Sequence, residues 1–436
     1  MPKITLVIFI LLFAISKKAL TQAYTSFFTG DVADVTTVTK GGTVLMGGAT
    51  ENDNAMRWFL QRSGGGDVVV IRASGSNGYN NYLFTTLGIA VNSVQTIVFN
   101  NASAAYDPYV INQIRNAEAL WIAGGDQYNY VNYWKNTPID TAINFLINTK
   151  KVTVGGTSAG MAILGGIVNT AQFGSVTSAT ALNNPYHSSI DLLNGGFILN
   201  PILQNVLTDT HYDNPDRKGR HTSFLAHLFT DFAIPAKGIA SEEYTAVCID
   251  TNGIANVYGN YPANDDYAYF LAPNCVLPNT PETCIAGQPL TWNRNNDALK
   301  VYKVAGTQNG ANSFNLNNWT TGTGGTWEKW HVTNGVLTAN TPTIAPACLA
   351  TAINNINIIN AIKVYPTPAK NMVAIVVAQT LKPKKIMVTN GTGQQIHLQE
   401  TAAQQLNLNI STWASGVYFL KVIGKQHWSI VKIIKQ

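Results

Sequence analysis

The sequence predicts an α/β protein with a doubly wound, mostly parallel sheet, followed by a small C-terminal β-sandwich. From about residue 41 onward, short apolar β-branched runs alternate with stretches whose apolar residues recur at helical spacing. Several of the apolar runs end in Gly-Gly or Ser-Gly, where the chain turns at the carboxyl edge of a sheet and where such folds bind ligands. Residues 361–436 instead alternate with a period of two between Gly, Asn and Lys turns, which is typical of a sandwich.

The predicted elements follow one another in a regular order. Strands are predicted at "GTVLMGG", "DVVVIRAS", "SVQTIVFN", "EALWIAGG" and "KVTVGG", with helices at "NDNAMRWFLQRS", "DPYVINQIRNA" and "DTAINFLINT". Further on, "VLTDTHY" predicts a strand, "HTSFLAHLFTDFA" a helix and "GIASEEYTAVCID" a strand pair. Short strands separated by helices indicate βαβ units and a parallel sheet that is covered on both faces.

Composition divides the chain into modules. A lysine followed by the apolar run "ITLVIFILLFAI", too short to span a bilayer, predicts a signal peptide over residues 1–23. Residues 24–305 form the predicted main domain. Residues 306–360 are rich in Asn, Thr and Gly, and they form either a β-rich extension of that domain or a linker. The final module, residues 361–436, is strongly basic.

The charge distribution and the cysteines exclude some classes of partner. Residues 24–360 carry a net negative charge, which argues against nucleic acid as a partner of the main body. Cys275 and Cys284 flank a Pro-rich loop and are placed to pair outside the cytoplasm. No Cys or His cluster has the spacing of a metal site, so we expect neither a metal nor a cofactor.

One serine lies in a pattern typical of a nucleophile. Gly156-Thr157-Ser158-Ala159-Gly160 fits G-x-S-x-G, in which small residues let the chain double back and expose the serine hydroxyl. The alternative is an ordinary glycine-rich loop that joins a strand to a helix.

A nucleophilic serine needs a base and an acid that orients it. His211 follows a predicted strand, which places it at the same sheet edge as Ser158, whereas His221 and His227 fall on a predicted helix. The acids that follow are Glu242 and Glu243, which gives the order serine, histidine, glutamate. An α/β-hydrolase esterase would instead need an acid before a later histidine.

Four segments carry a resemblance to a known family. "AGGDQ", "GGTSAGM", "TDTHYDNPDRKGR" and "GIASEEYTA", preceded by "GTVLMGGATEN", resemble the cyanophycinase/dipeptidase E family of serine peptidases in order and spacing. The resemblance implies a fold similar to the class I glutamine amidotransferases. It also implies cleavage next to aspartyl residues, either by a dipeptidase or by an exo-acting cyanophycinase that releases β-aspartyl-arginine.

Transferred onto this chain, the resemblance assigns roles to its residues. It implies that Ser158 is the nucleophile, His211 the general base and Glu243 the orienting acid, with Glu242 as the fallback. The oxyanion hole would be formed by the N–H groups of Gly125 and Ala159. The residues implied in substrate binding are Asp126, Gln127, Asp209, Thr210, Arg217 and Arg220.

The chain also departs from the family pattern. Pro215 stands where cyanophycinases have an arginine, and Thr210 stands where they have a glutamine. Ser241-Glu242 replaces a hydrophobic-Asp pair before the glutamate. The triad residues are present, whereas the pocket that would bind arginine is altered.

The C-terminal module has a resemblance of its own. "VYPTPAKN", the Asn-Gly-Thr-Gly hairpin and "ASGVYFLKV" resemble the C-terminal sorting domain of the type IX secretion system of Bacteroidetes. This implies export across the outer membrane, to the medium or the cell surface. The alternative is a carbohydrate-binding or adhesive sandwich.

Taken together, these features predict a secreted serine exopeptidase that cleaves aspartyl or β-aspartyl bonds, as in cyanophycin. The alternatives are a dipeptidase E-like aspartyl dipeptidase and an inactive surface protein that binds a ligand. The expected partners are a peptide or polyamide substrate and the type IX secretion machinery, and homodimer formation is left open.

Overall fold

The strands and helices follow the predicted order through the first half of the chain. The computed structural model describes residues 22–346, 362–378, 383–390, 395–424 and 428–436. The predicted signal peptide, except its last two residues, and the end of the 306–360 segment lie outside these ranges. The chain divides into two compact units after residue 347, each with its own core.

The strands of the first unit are β1 (Tyr24–Gly30), β2 (Gly42–Met46), β3 (Asp67–Arg72), β4 (Ser93–Phe99), β5 (Ala119–Ile122), β6 (Thr153–Thr157), β7 (Ile167–Asn169), β8 (Leu192–Asn194), β9 (Val206–Asp209), β10 (Lys237–Ser241), β11 (Ala246–Asp250), β12 (Ile254–Tyr258), β13 (Tyr267–Pro273), β14 (Leu299–Ala305), β15 (Asn312–Asn315), β16 (Gly322–Thr323), β17 (Gly325–Thr333) and β18 (Val336–Pro342). The α-helices are α1 (Asp53–Gln61), α2 (Gly78–Asn81), α3 (Pro108–Asn116), α4 (Gln127–Trp134), α5 (Pro138–Phe145), α6 (Ala159–Ala162), α7 (Ser178–Asn183) and α8 (Lys218–Phe232).

The parallel strands form the middle of a larger mixed sheet. Within residues 22–346, the first sheet has the order β1-β4-β3-β5-β6-β2-β11-β12-β15-β16. Strands β4, β3, β5, β6 and β2 are parallel to their neighbours in this run, whereas β1 and the strands from β11 onward pair antiparallel. The α/β class is therefore confirmed, but the prediction of a mostly parallel sheet is wrong. The connection from β11 to β12, residues 251–253, is too short for a crossover helix, so these two strands run antiparallel.

The β-branched strands bury both of their faces. In β3, Val68 and Val70 belong to one core and Val69 and Ile71 to another, because successive side chains point to opposite faces. Helix α1 packs into the first of these cores, and helices α3 and α5 pack into the second. The apolar runs in the sequence reflect this two-sided burial.

A second sheet, which the sequence did not predict, lies beside the first. Its order within residues 22–346 is β18-β17-β14-β13-β10-β9-β7-β8, and only β10, β9 and β7 are parallel. The segment predicted as a strand pair at "GIASEEYTAVCID" does form two strands, but β10 belongs to the second sheet and β11 to the first. The turn between them, residues 242–245, therefore crosses from one sheet to the other.

The Asn- and Thr-rich segment contributes to both sheets. Strands β15 and β16 extend the first sheet beyond β12, and β17 and β18 extend the second beyond β14. Phe314 and Trp330, from this segment, are buried in two different cores. As far as residue 346, the structure places this segment within the first unit.

The predicted pairing of Cys275 with Cys284 is wrong. Cys284 is a buried free thiol that packs in the core around α8, whereas Cys275 takes part in a disulfide with another partner. In the ranges that the structure covers, no helix is both long and apolar enough to cross a membrane.

The second unit is built from two small antiparallel sheets, and the predicted C-terminal β-rich module is therefore present. Its strands are β19 (Ile362–Tyr365), β20 (Met372–Val377), β21 (Pro383–Asn390), β22 (Gln395–Glu400), β23 (Gln405–Asn409), β24 (Gly416–Gly424) and β25 (Trp428–Lys435). Among the described residues, one sheet has the order β19-β20-β23 and the other β22-β21-β24-β25. Buried side chains from both sheets, including Val373, Ile375, Val388 and Leu420, share one core.

Candidate active site

Ser158 occupies a sharp turn between β6 and α6. Its backbone has φ 52° and ψ −120°, a conformation that is strained for any residue with a side chain. A Cβ atom at Gly160 would lie 2.1 Å from the carbonyl oxygen of Ile122, and one at Gly156 would lie 2.6 Å from the carbonyl carbon of Gly160. Both glycines of the G-x-S-x-G pattern are therefore required because the chain doubles back on itself.

His211 lies directly opposite this serine. It follows the end of β9, with φ 45°, and its amide donates a hydrogen bond to the Gly47 carbonyl at 2.8 Å. The imidazole Nε2 is 2.8 Å from Ser158 Oγ. Gly48 lies against the ring, and a Cβ atom there would fall 2.3 Å from His211 Cε1. The carboxyl ends of β2, β6 and β9 thus meet at this point, although β9 belongs to the second sheet.

Glu243, in the turn between β10 and β11, lies on the other side of the His211 ring from Ser158. Its Oε1 lies 2.6 Å from His211 Nδ1, and its backbone amide donates to Asp213 Oδ1 at 2.9 Å. The imidazole and this carboxylate are both partly buried, with 24% and 18% of their side-chain surfaces exposed.

The neighbouring acid, Glu242, faces away from the histidine. Its two oxygens accept hydrogen bonds from the Tyr267 amide at 2.8 Å and from the Tyr269 hydroxyl at 2.7 Å. Burial raises the pKa of Glu242 to about 7. Of the two candidate acids, only Glu243 contacts His211.

The loop after β5 passes close to the serine. A Cβ atom at Gly124 would lie 3.4 Å from Ser158 Cβ, so the loop runs within van der Waals reach of the serine side chain. The Tyr130 hydroxyl holds this loop by donating to the carbonyls of Ala123 at 2.8 Å and Gly124 at 3.0 Å. Gly125, at the end of the loop, lines the same pocket as Ala159, which begins α6. Both predicted oxyanion donors therefore lie beside Ser158.

That pocket has a volume of about 490 Å³, and all the residues predicted to bind substrate except Asp209 line it. Asp126 caps α4 by accepting the Tyr128 amide at 2.9 Å, so its carboxylate has a structural partner. Gln127 donates its side-chain amide to the carbonyl of Asn169. Thr210 lies next to His211, with its carbonyl turned toward Arg217.

Asp209 and Arg220 bind each other. They are 3% and 8% exposed, and Arg220 Nε donates to Asp209 Oδ2 at 2.9 Å. Burial acts to raise the pKa of Asp209, but the Arg220 guanidinium outweighs it and holds that pKa below its usual range. Arg220 Nη1 also donates to Ser175 Oγ at 3.0 Å. Most of the donors of Arg220 are thus satisfied within the protein.

Arg217 is the less satisfied of the two arginines. Its Nη1 donates to the Thr210 carbonyl at 2.9 Å. Its Nε is buried and has no hydrogen-bond partner among residues 22–346 or elsewhere in the described chain. Burial lowers the pKa of Arg217, and the charge of Arg220 lowers it further. Arg217 lines the pocket and makes no ion pair within the described residues, so its guanidinium favours an anionic ligand in the pocket.

Sequence reasoning missed some of the residues at the site. Gly48 and Asp213 hold the histidine and the glutamate, and a second pocket on the other side of Ser158 contains Glu51 and Arg72. The sequence feature that could have identified Gly48 is the Gly-Gly pair directly after β2, the strand that pairs with β6. Across the described ranges, no group of three His, Cys, Asp or Glu side chains is placed to hold a metal ion.

Comparison with known proteins shows what the first unit of the chain is similar to. Residues 45–255 match the model of peptidase family S51. Two cyanophycinases are similar to about half of the chain. That of Synechococcus elongatus is 26% identical over 229 residues, covering 50% of this chain and 66% of that protein. That of Trichormus variabilis is 23% identical over 232 residues, covering 51% and 72%. The chain thus spans just under two thirds of the length of the first relative.

Two solved structures are also similar to the chain. A peptidase from an acI-B1 Actinobacterium has a TM-score of 0.40 at 14% identity, covering 53% of this chain and 91% of that one. A putative peptidase E protein from Listeria monocytogenes has a TM-score of 0.33 at 14% identity, covering 51% and 99%.

The C-terminal unit has a match of its own. Residues 363–436 match the secretion system C-terminal sorting domain. Such a domain directs type IX secretion, so the chain is exported to the cell surface or the medium. The chain therefore combines a region, residues 45–255, that matches peptidase family S51 with a C-terminal region, residues 363–436, that matches a type IX sorting domain.

Proposed function

We propose that this chain is a serine exopeptidase of the cyanophycinase type, which hydrolyses aspartyl or β-aspartyl peptide bonds through an acyl-enzyme. The observation that carries the proposal is the pair of hydrogen bonds at His211. One joins Nε2 to Ser158 Oγ at 2.8 Å, and the other joins Nδ1 to Glu243 Oε1 at 2.6 Å. A nucleophile, a base and an orienting acid in this contact order fit acyl transfer.

The geometry suggests a role for each group. Ser158 Oγ attacks the carbonyl carbon of the scissile bond while His211 Nε2 takes the hydroxyl proton. Glu243 fixes the orientation of the ring and stabilises the imidazolium that forms. The N–H groups of Gly125 and Ala159 would stabilise the negative oxygen of the tetrahedral intermediate. His211 then gives its proton to the leaving nitrogen, and a water activated by the same ring releases the acyl group.

The pocket beside Ser158 supports an acidic residue on the acyl side of the bond. Arg217 lines this pocket and, among the described residues, makes hydrogen bonds only through Nη1 and no ion pair, so a substrate carboxylate would supply an acceptor for its Nη2 group. Arg220 is already engaged by Asp209 and would act by holding the loop that carries His211. Pro215 and Thr210 remove two groups of the cyanophycinase pattern, so shorter aspartyl peptides are tested beside cyanophycin.

A substrate panel tests the proposal. The mature protein is assayed on cyanophycin, on β-aspartyl dipeptides and on α-aspartyl dipeptides, with Ser158→Ala as the inactive control. Hydrolysis of at least one of these, abolished in Ser158→Ala and in His211→Ala, is the expected result. His227→Ala is a matched control, because His227 pairs with Asp231 on α8 at 2.9 Å and does not line the pocket. Full activity of Ser158→Ala would overturn the proposal, and loss in His227→Ala alone would favour an esterase-type triad.

A further inference from the structure

A second pocket opens on the opposite side of the serine. It has a volume of about 570 Å³ and shares only Ser158 and His211 with the pocket that contains Arg217. Its walls include Glu51, Arg72, Tyr79 and Tyr82, all of them partly buried. Ser158 therefore stands between two cavities, and a substrate bound across it would place one residue in each.

The pocket contains one positive and one negative charge that do not neutralise each other. Glu51 accepts a hydrogen bond from the Tyr79 hydroxyl. Arg72 donates through Nε to the Ser74 carbonyl and through Nη1 to the Ser76 carbonyl, the latter at 3.3 Å. Within the described ranges, neither Glu51 nor Arg72 makes an ion pair.

Each of these charges is held in place by a neutral partner. The carbonyls and the tyrosine hydroxyl fix the side chains without cancelling their charge, and the Arg72 guanidinium lies 5.9 Å from the centre of the Tyr79 ring. The second oxygen of Glu51 and the Nη2 group of Arg72 remain for a ligand. A rigid, uncompensated pair of opposite charges favours a ligand that itself carries both.

The ligand expected in the first pocket determines which side of the scissile bond the second pocket faces. If the acidic acyl residue lies against Arg217, the pocket with Glu51 and Arg72 faces the residue that leaves with the new amine. We propose that this pocket is a leaving-residue subsite, in which Arg72 binds a terminal carboxylate and Glu51 binds a cationic side chain. This inference rests on the proposed function, and it names residues and a ligand class beyond it.

Peptides that differ by one charge test the subsite. The panel consists of aspartyl-arginine, aspartyl-citrulline, in which the cation is replaced by a neutral isostere, and aspartyl-arginine amide, in which the terminal carboxylate is removed. The wild-type chain should prefer the first peptide over each of the others by about tenfold or more in kcat/KM. Glu51→Gln should abolish the preference for arginine over citrulline, and Arg72→Gln the preference for the free acid over the amide.

A control variant separates the subsite from general charge effects. Arg57, on α1, pairs with Asp53 at 3.6 Å and does not line the pocket, so Arg57→Gln should keep both preferences. Unchanged preferences in an active Glu51→Gln or Arg72→Gln enzyme would overturn the inference while leaving the proposed function in place.

Binding to the Ser158→Ala full chain keeps the test independent of hydrolysis. Calorimetry with the same peptides should give the tightest binding for aspartyl-arginine. Adding Glu51→Gln should erase its advantage over aspartyl-citrulline, and adding Arg72→Gln should erase its advantage over the amide. If no peptide is hydrolysed but this pattern holds, the proposed function fails and the subsite stands. Equal affinities for all the peptides, or no saturable binding in the millimolar range, would overturn the subsite.

Discussion

At the residue scale, the proposed triad is held by the backbone at the end of a single strand. Ser158, His211 and Tyr244, the neighbour of Glu243, all have positive φ, which costs roughly 1–3 kcal/mol for each residue. Their amides donate to three successive carbonyls, those of residues 46–48, at 3.1, 2.8 and 3.1 Å. Because the three catalytic segments converge on one short backbone stretch, the end of β2 sets their mutual distances.

Gly48→Ala should therefore impair catalysis while leaving the fold intact. The new methyl group would lie 2.3 Å from His211 Cε1, at a residue whose φ is +127°, so the imidazole must move away from Ser158. We expect kcat to fall by about 100-fold or more with a smaller change in KM, since small misplacements of a catalytic group have effects of this size. Gly195→Ala is the control, because Gly195 has φ +80° but open space around its Cβ position. Equal activity of the two variants would contradict this role for Gly48.

At the element scale, one ion pair ties β9 to the first turn of α8. The loop that carries His211 begins after Asp209 and ends before Arg220, and these two residues close it with their buried pair. A buried pair of this kind is strongly destabilised when one partner is removed, because the other charge is left without compensation.

Arg220→Met should lower the free energy of unfolding by about 3–5 kcal/mol. The control is Lys218→Met, two residues earlier on the same helix, which removes an ion pair with Asp216 at 3.2 Å. Because the Asp216 side chain is 56% exposed, this loss should lower the free energy of unfolding by less than about 1 kcal/mol. Denaturant unfolding of the two variants measures the difference. Equal losses would mean that the Asp209–Arg220 pair does not hold the loop.

The sequence predicted most of the elements but not how they are distributed between sheets. Periodicity located β2, β3 and α8, because two-sided burial and helical spacing leave local patterns. The separation of β10 from β11 leaves no such pattern, since both are apolar β-branched runs joined by four residues. Ser158 and His211 could be predicted because each lies in a recognisable local sequence pattern. The contact between Gly48 and the His211 ring could not, because it forms where an end of the first sheet approaches an end of the second.

At the scale of the whole molecule, the chain consists of two units with separate cores. The buried apolar clusters of the first unit lie within residues 44–332, and that of the second lies within residues 362–433. The predicted domain boundary at residue 305 instead falls inside the first unit, between β14 and the strands that pair with it and with β12. The boundary was predicted at residue 305 because the composition changes there. The many Asn and Thr residues in the turns hide the buried aromatic residues of β15 and β17 from a reading of composition.

Two truncations test this boundary. A chain ending at residue 361, which keeps all four cysteines of the sequence, should fold and keep the activity of the mature protein. A chain ending at residue 305 should not fold, because it loses Phe314 and Trp330, each at most 1% exposed, and large-to-small changes at such sites alone cost about 3–5 kcal/mol. Circular dichroism and hydrolysis rates compare the two. A folded, active chain ending at residue 305 would show that β15–β18 are dispensable.

The most direct test of the central claim, that Ser158 and His211 act as one nucleophilic unit, is a double-mutant cycle. The value to measure is kcat for the wild type, Ser158→Ala, His211→Ala and the double variant on a peptide that the wild type hydrolyses. We predict that each single variant loses on the order of 10⁶-fold and that the double variant is no worse, because neither group works without the other. Independent losses that multiply in the double variant, or substantial activity in either single variant, would contradict the claim.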